Sequence, residues 1–292
     1  MAYEAHKAAC DRTGGTLDGV IYREYSHKSI NASKIEILNE SGEKATGKKQ
    51  GRYITAKIGK EFALSDFKTY SEFLSRQICE LLPQKTENVL IAGLGNRFIT
   101  ADSVGPKAVS HIIVTRHIKT ISPAIYRDLS LGEVSAIAPG VLAQTGIESG
   151  EIIKSVLNDI SPSCLIVIDA LATQSFSHLS CVVQISDCGI QPGSGVYNSR
   201  FAITKESMGV PVIAIGVPTV IDASSLAADI FSKRGIHPQS DEEQFRDDSL
   251  ECFITLKESD LITDNMAKLI AYSLNLSLHN GLSFEEMVSL CS

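Results

Sequence analysis

Apolar positions along the chain follow two rhythms. In residues 33–38 and 52–58 apolar and polar side chains alternate, and the intervening residues 39–51 are rich in turn formers. This predicts a small peripheral β element within residues 1–60, preceded by a short helix at 5–10. The rhythm then becomes helical. Phe62, Leu64, Phe67, Tyr70, Phe73, Leu74, Ile78 and Leu81 predict a helix over 62–82, which Pro83 ends. Further on, short apolar runs at 89–92, 164–168, 182–185 and 212–215 predict strands. The run at 164–168 has no polar position, as a strand buried on both faces requires.

Between these runs, helices are predicted over 105–115, 142–160, 222–231 and from 255 onward. Pro106 suits a first helical turn. Thr145 with Glu148, and Thr255 with Glu258, have the spacing of capping boxes. An acidic stretch at 237–249 reads as a loop insertion. Strands alternating with helices imply right-handed crossovers. The expected fold is α/β: a single domain over 1–292, with a β-rich peripheral part at 1–60. Its core at 61–292 is a mostly parallel twisted sheet flanked by helices.

Composition narrows the function classes. A formal net charge of −7 argues against direct nucleic-acid binding, which needs a basic footprint. No apolar run approaches the length of a membrane span, and the first residues lack the apolar core of a signal peptide. Seven cysteines without a CxxC pair read as free thiols in a reducing, cytoplasmic compartment. His111 and His117 are wrongly spaced to ligate a metal from one helical face, and His178 reads as a lone surface residue. No metal and no cofactor are expected.

Two aspartates carry the candidate chemistry. Asp102 follows the strand-and-glycine-loop sequence that begins at Val89, and Asp169 directly follows Leu165-Ile166-Val167-Ile168. In an open parallel sheet both emerge at carboxyl ends of strands, where such folds bind ligands. A close carboxylate pair shares a proton and runs acid and base chemistry together, which favours a hydrolase. The plainer role for Asp102 is to cap the following helix, and for Asp169 to cap or anchor a loop. Gly93-Leu94-Gly95-Asn96 is an incomplete dinucleotide fingerprint, because Phe98 stands where the third glycine belongs. It reads as a tight turn or as a set of amides cradling a substrate carbonyl. Gly193-Ser194-Gly195 lacks the spacing of a nucleophile elbow. Gly93, Gly95, Asn96, Gly193, Ser194 and Gly195 are the candidate substrate-binding residues, since side-chain-free loops admit an extended peptide.

Several long motifs are similar to one family. LIAGLGNRFITADSVGPKAVSHIIVTRH (90–117), SAIAPGVLAQTGIESGEII (135–153), LIVIDALAT (165–173), QISDCGIQPGSGVYNSR (184–200) and KESMGVPVIAIGVPTVIDA (205–223) closely resemble the germination protease of endospore-forming bacteria. The resemblance extends upstream through KIEILNESG (34–42) and GRYITAKIG (51–59). It implies an endopeptidase of aspartic type, homotetrameric, that degrades small acid-soluble spore proteins in the spore core during germination. Matched motif by motif, the family's two essential aspartates fall on Asp102 and Asp169. Family precursors carry a prosegment removed by self-cleavage, and Met1-Ala2-Tyr3-Glu4-Ala5-His6 resembles the start of the mature form. The same glycine loop and acidic positions also resemble hydrogenase maturation endopeptidases, where acidic residues engage a metal. A metal-assisted endopeptidase and a non-catalytic peptide- or nucleotide-binding module are therefore the alternatives.

Overall fold

The computed structural model describes residues 1–13, 15–28, 30–59, 67–193, 201–234 and 252–291. Its strands are β1 (Val20–His27), β2 (Ile30–Ile37), β3 (Gly51–Lys57), β4 (Asn88–Gly93), β5 (Glu133–Ile137), β6 (Cys164–Thr173), β7 (Val182–Ser186), β8 (Val212–Asp222) and β9 (Phe253–Ile254). They form one sheet in the order β1-β2-β3-β7-β8-β6-β4-β5, with β9 added to β8. Strands β5, β4, β6 and β8 are mutually parallel. Strands β7, β3, β2 and β1 continue the sheet in antiparallel fashion. The core is thus the parallel α/β arrangement expected, and the N-terminal strands extend that same sheet by pairing Tyr53–Lys57 with Val182–Ser186.

The helices are α1 (Ala2–Thr13), α2 (Glu40–Thr46), α3 (Phe67–Leu81), α4 (Val104–Val109), α5 (Arg116–Ile121) and α6 (Pro123–Asp128). They continue with α7 (Leu142–Thr145), α8 (Ser149–Ile160), α9 (Lys205–Met208), α10 (Ala223–Lys233), α11 (Ser259–Leu278) and α12 (Phe284–Cys291). Strand alternation sorts the core onto two faces. Val89, Ile91, Ile166 and Ile168 pack with Leu74 and Ile78 of α3, Val104 and Ala108 of α4, and Leu269 and Ile270 of α11. Leu90, Ala92, Leu165 and Val167 pack on the other face with Ile153 and Leu157 of α8 and Met208 of α9.

Several expectations need correction. The helix predicted over 105–115 ends at Val109. The helix predicted over 142–160 is two helices, broken where Gly146 takes φ 71° and closes α7. Neither predicted capping box forms: Glu148 and Glu258 are themselves the residues preceding α8 and α11, and neither caps with its side chain. The Thr145 hydroxyl instead accepts from Ile147 N at 3.1 Å. The turn-rich stretch at 39–51 contains α2, whose Asn39 cap accepts from Gly42 N. The start of the helix predicted over 62–82 and the acidic stretch at 237–249 lie outside the described residues.

Candidate active site

The site starts where β4 stops. Gly93 is in register with Ile168 on β6, and the next amide, Leu94 N, donates to Ile168 O at 2.8 Å. The chain then folds back on itself. Gly95 has φ 109°, and a Cβ there would stand 2.0 Å from the carbonyl oxygen of Asp102, so no side chain is compatible with this turn. Asn96 N donates to Asp102 Oδ2 at 2.8 Å, clamping the carboxylate across the loop.

Asp102 closes a 3-10 turn, Thr100–Asp102, in which its own amide donates to Ile99 O. The buried hydroxyl of Thr219 on β8 ties this turn to the sheet by donating to Ala101 O at 2.5 Å. Thr219 is available because the β6–β8 register slips at this point: Leu171 pairs with Pro218 but Ala172 pairs with Val220. Ser103 holds the position before α4, and at Gly105 the helix backbone passes so close to β4 and β6 that a Cβ would meet Leu94 O at 2.3 Å and Ile168 O at 2.6 Å.

Asp169 lies within β6, paired in register with Gly216 on β8. It is 7% exposed, and its Oδ1 accepts from Ala170 N at 2.9 Å. Alternation puts it on the face of Leu165 and Val167. Asp169 follows the very residue whose carbonyl receives Leu94 N, but β6 runs on for four more paired residues, so Asp169 lies inside its strand and not at the carboxyl end expected for it.

Of the candidate binding residues, Gly93 ends β4, and Gly95 and Asn96 lie in the loop that follows it. A Cβ on Gly93 would stand 2.2 Å from Gly105 O, so its role is close helix–strand packing. The amides of Leu94 and Asn96 are engaged within the protein, which removes them from the expected carbonyl cradle. The Asn96 side chain instead organises the loop: Oδ1 accepts from Phe98 N at 3.0 Å and from Gln144 Nε2 of α7 at 2.7 Å. Gly193 sits beyond β7 with φ 73°. Ser194 and Gly195 lie outside the described residues.

His178 is not a surface residue. It is 7% exposed and donates from Nδ1 to Glu4 Oε1 at 3.0 Å, with its ring edge-on to Tyr3. Burial pushes the Glu4 carboxyl up, but the His178 hydrogen bond, the N-terminal ammonium and the Thr173 hydroxyl outweigh it and hold it at about 2. This network links α1 to the segment leaving β6, and the sequence carries no signal for it. All seven cysteines are free thiols, and burial pushes that of Cys164 up to about 12. Among the described residues no group of three His, Cys, Asp or Glu side chains is placed to hold a metal ion, and no helix is long and apolar enough to cross a membrane.

The family described as Germination protease (Peptidase_A25) matches residues 1–237. The chain belongs to the germination protease family. As a member it is a peptidase, a hydrolase of peptide bonds. It is 39% identical to the germination protease of Caldanaerobacter subterraneus subsp. tengcongensis, over 99% of this chain and 96% of that one. The germination protease of Clostridium perfringens strain ATCC 13124 is 36% identical, over 98% of this chain and 96% of that one. The Priestia megaterium germination protease is 41% identical over 73% of this chain and 59% of its own. Among solved structures, a [NiFe] hydrogenase maturation protease, HycI, from Thermococcus kodakarensis KOD1 aligns with a TM-score of 0.36 and 15% identity, covering 68% of this chain and 98% of that one.

Proposed function

We propose that this chain is an endopeptidase that degrades small acid-soluble spore proteins during germination, with Asp102 and Asp169 as its catalytic pair. The observation that supports the reading is the Leu94 N to Ile168 O bond, which starts the loop carrying Asp102 beside the residue that precedes Asp169. The relatives' shared name supports spore proteins as the substrate class. The enzyme works in the spore core as a homotetramer, without a cofactor.

In this mechanism one carboxyl holds a proton and the other is ionised. The ionised group takes a proton from the attacking water while the protonated group donates its own to the carbonyl oxygen; on collapse the first passes the water's proton to the leaving amine and the second recovers a proton from the diol hydroxyl. General acid–base catalysis of this kind contributes roughly 100- to 10,000-fold. The polar environment around each group is fixed before substrate arrives: Asp102 by Asn96 N, Asp169 by Ala170 N. Such preorganisation avoids reorientation in the transition state.

The test is cleavage of a purified small acid-soluble spore protein by Asp102→Asn and Asp169→Asn, each checked for native circular dichroism, with and without chelator. Loss of at least about 100-fold in kcat for both variants, with chelator-insensitive wild-type activity, supports the pair. A folded variant that cleaves at the wild-type rate overturns it. Activity that chelator abolishes and a divalent ion restores assigns the carboxylates to a metal instead.

A further inference from the structure

We infer that Gln144 is a positioning residue for Asp102, acting through Asn96; this rests on the proposed role of Asp102. The contact is long-range. Gln144 lies on α7, beyond β5, yet its Nε2 donates to Asn96 Oδ1 at 2.7 Å. The same Asn96 oxygen accepts from Phe98 N at 3.0 Å. Two donors therefore converge on one oxygen and fix which way the Asn96 amide faces, because a flip would turn its NH₂ towards both. With its side chain held, the Asn96 backbone is held too, and its N–H points at Asp102 Oδ2 over 2.8 Å. A continuous path runs from α7 through two side chains to the carboxylate.

The helix that supplies Gln144 is itself constrained. Gly140 with φ 77° precedes α7 and Gly146 with φ 71° ends it, so four helical residues are framed by two left-handed turns. Gln144 Oε1 accepts from Val141 N at 3.4 Å, turning the side chain back over its own helix start while Nε2 reaches Asn96. A residue here must donate to Asn96 and accept from Val141, which glutamine does and glutamate does not. Gln144 is exposed and stands outside all three hydrophobic clusters of the described residues. It therefore contributes little to the core, and its effect falls on where Asp102 sits.

The experiment measures kcat, KM, the pH profile of kcat/KM and the thermal midpoint for wild type, Gln144→Ala, Gln144→Glu and Gln144→Lys. Asp102→Asn runs alongside. Gln144→Ala is expected to lower kcat about tenfold with KM little changed, as loosened alignment does. Gln144→Lys keeps a donor and restores part of that loss. Gln144→Glu sets an acceptor against Asn96 Oδ1 and adds a negative charge near Asp102, so the acid limb of the profile moves to higher pH. The inference is overturned if all three variants keep wild-type kcat and pH profile while Asp102→Asn is inactive. It is also overturned if kcat falls only in proportion to the thermal midpoint with no movement of the acid limb. A fully active Asp102→Asn removes the catalytic reading beneath it, a result distinct from either.

Discussion

Leu94 N and Ile168 O are hydrogen-bonded at 2.8 Å, one residue past the end of β4 and one residue before Asp169. This bond extends the β4–β6 ladder beyond the last paired residues, so the loop carrying Asp102 departs from a fixed point on the strand carrying Asp169. The point from which the Asp102 loop departs is then a property of backbone pairing, while the set of its carboxylate depends on Asn96 N.

Replacing Gly95 by alanine tests how closely that loop is wound. With φ 109° and a Cβ 2.0 Å from the Asp102 carbonyl oxygen, alanine must displace backbone rather than a movable side chain. Unfavourable φ alone costs about 1–3 kcal/mol. The expected result is a lower thermal midpoint together with a loss of peptidase activity larger than the stability loss accounts for. A Gly95→Ala protein with native midpoint and activity would show that the loop is not wound as described.

Glu4 predicts an acid-dependent component of stability. Its folded value of about 2 lies below the ordinary 4.5, so the folded state binds fewer protons than the unfolded state between those values. The stabilisation is complete above pH 4.5 and is lost as pH falls towards 2. The difference amounts to about 3 kcal/mol at neutral pH. Glu4→Gln should therefore lower the urea midpoint at pH 7, and its stability should fall less than wild type's between pH 5 and pH 3. Parallel pH curves for the two proteins would refute the assignment.

His279 makes a separate prediction nearer neutrality. It is 1% exposed, accepts Gly132 N on Nδ1 at 3.2 Å and donates from Nε2 to Ile113 O at 2.9 Å. Burial lowers its proton affinity below the ordinary 6.5, with the Ile113 carbonyl partly opposing. Both ring nitrogens are engaged by the neutral form, and a second ring proton would face the Gly132 N–H. Stability is full above pH 6.5 and declines as pH drops from there towards the folded value. Denaturation midpoints at pH 7.5 and 5.5 should show wild type weakening, with His279→Asn less stable at pH 7.5 but flatter between the two. An equal decline in both proteins would place the sensitivity elsewhere.

The sequence made the parallel core readable because buried strands leave unbroken apolar runs, and Asp169 stood out as the charge ending the purest of them. Asp102 was readable from its place after a glycine loop, but one partner was not: Asn96 N donates to its carboxylate from within that loop. β1 escaped detection because Arg23 and Glu24 interrupt its alternation in a half-exposed edge strand. The two threonine–glutamate spacings misled because a four-residue pattern cannot say where the backbone leaves the extended region. Asn39 and Asp222 do cap α2 and α10, each accepting backbone amides. The Glu4–His178 contact joins residues 174 positions apart, and no local pattern reports a meeting set by tertiary packing.

That contact makes α1 a strut for the strand that carries Asp169. Glu4 receives Thr173 Oγ1 from the last residue of β6 and Ser175 N just beyond it, four and six positions past Asp169. Helix α1 thus braces the exit of β6. Loosening α1 would slacken that strand from its far end, without touching Asp169 or the Asp102 loop directly.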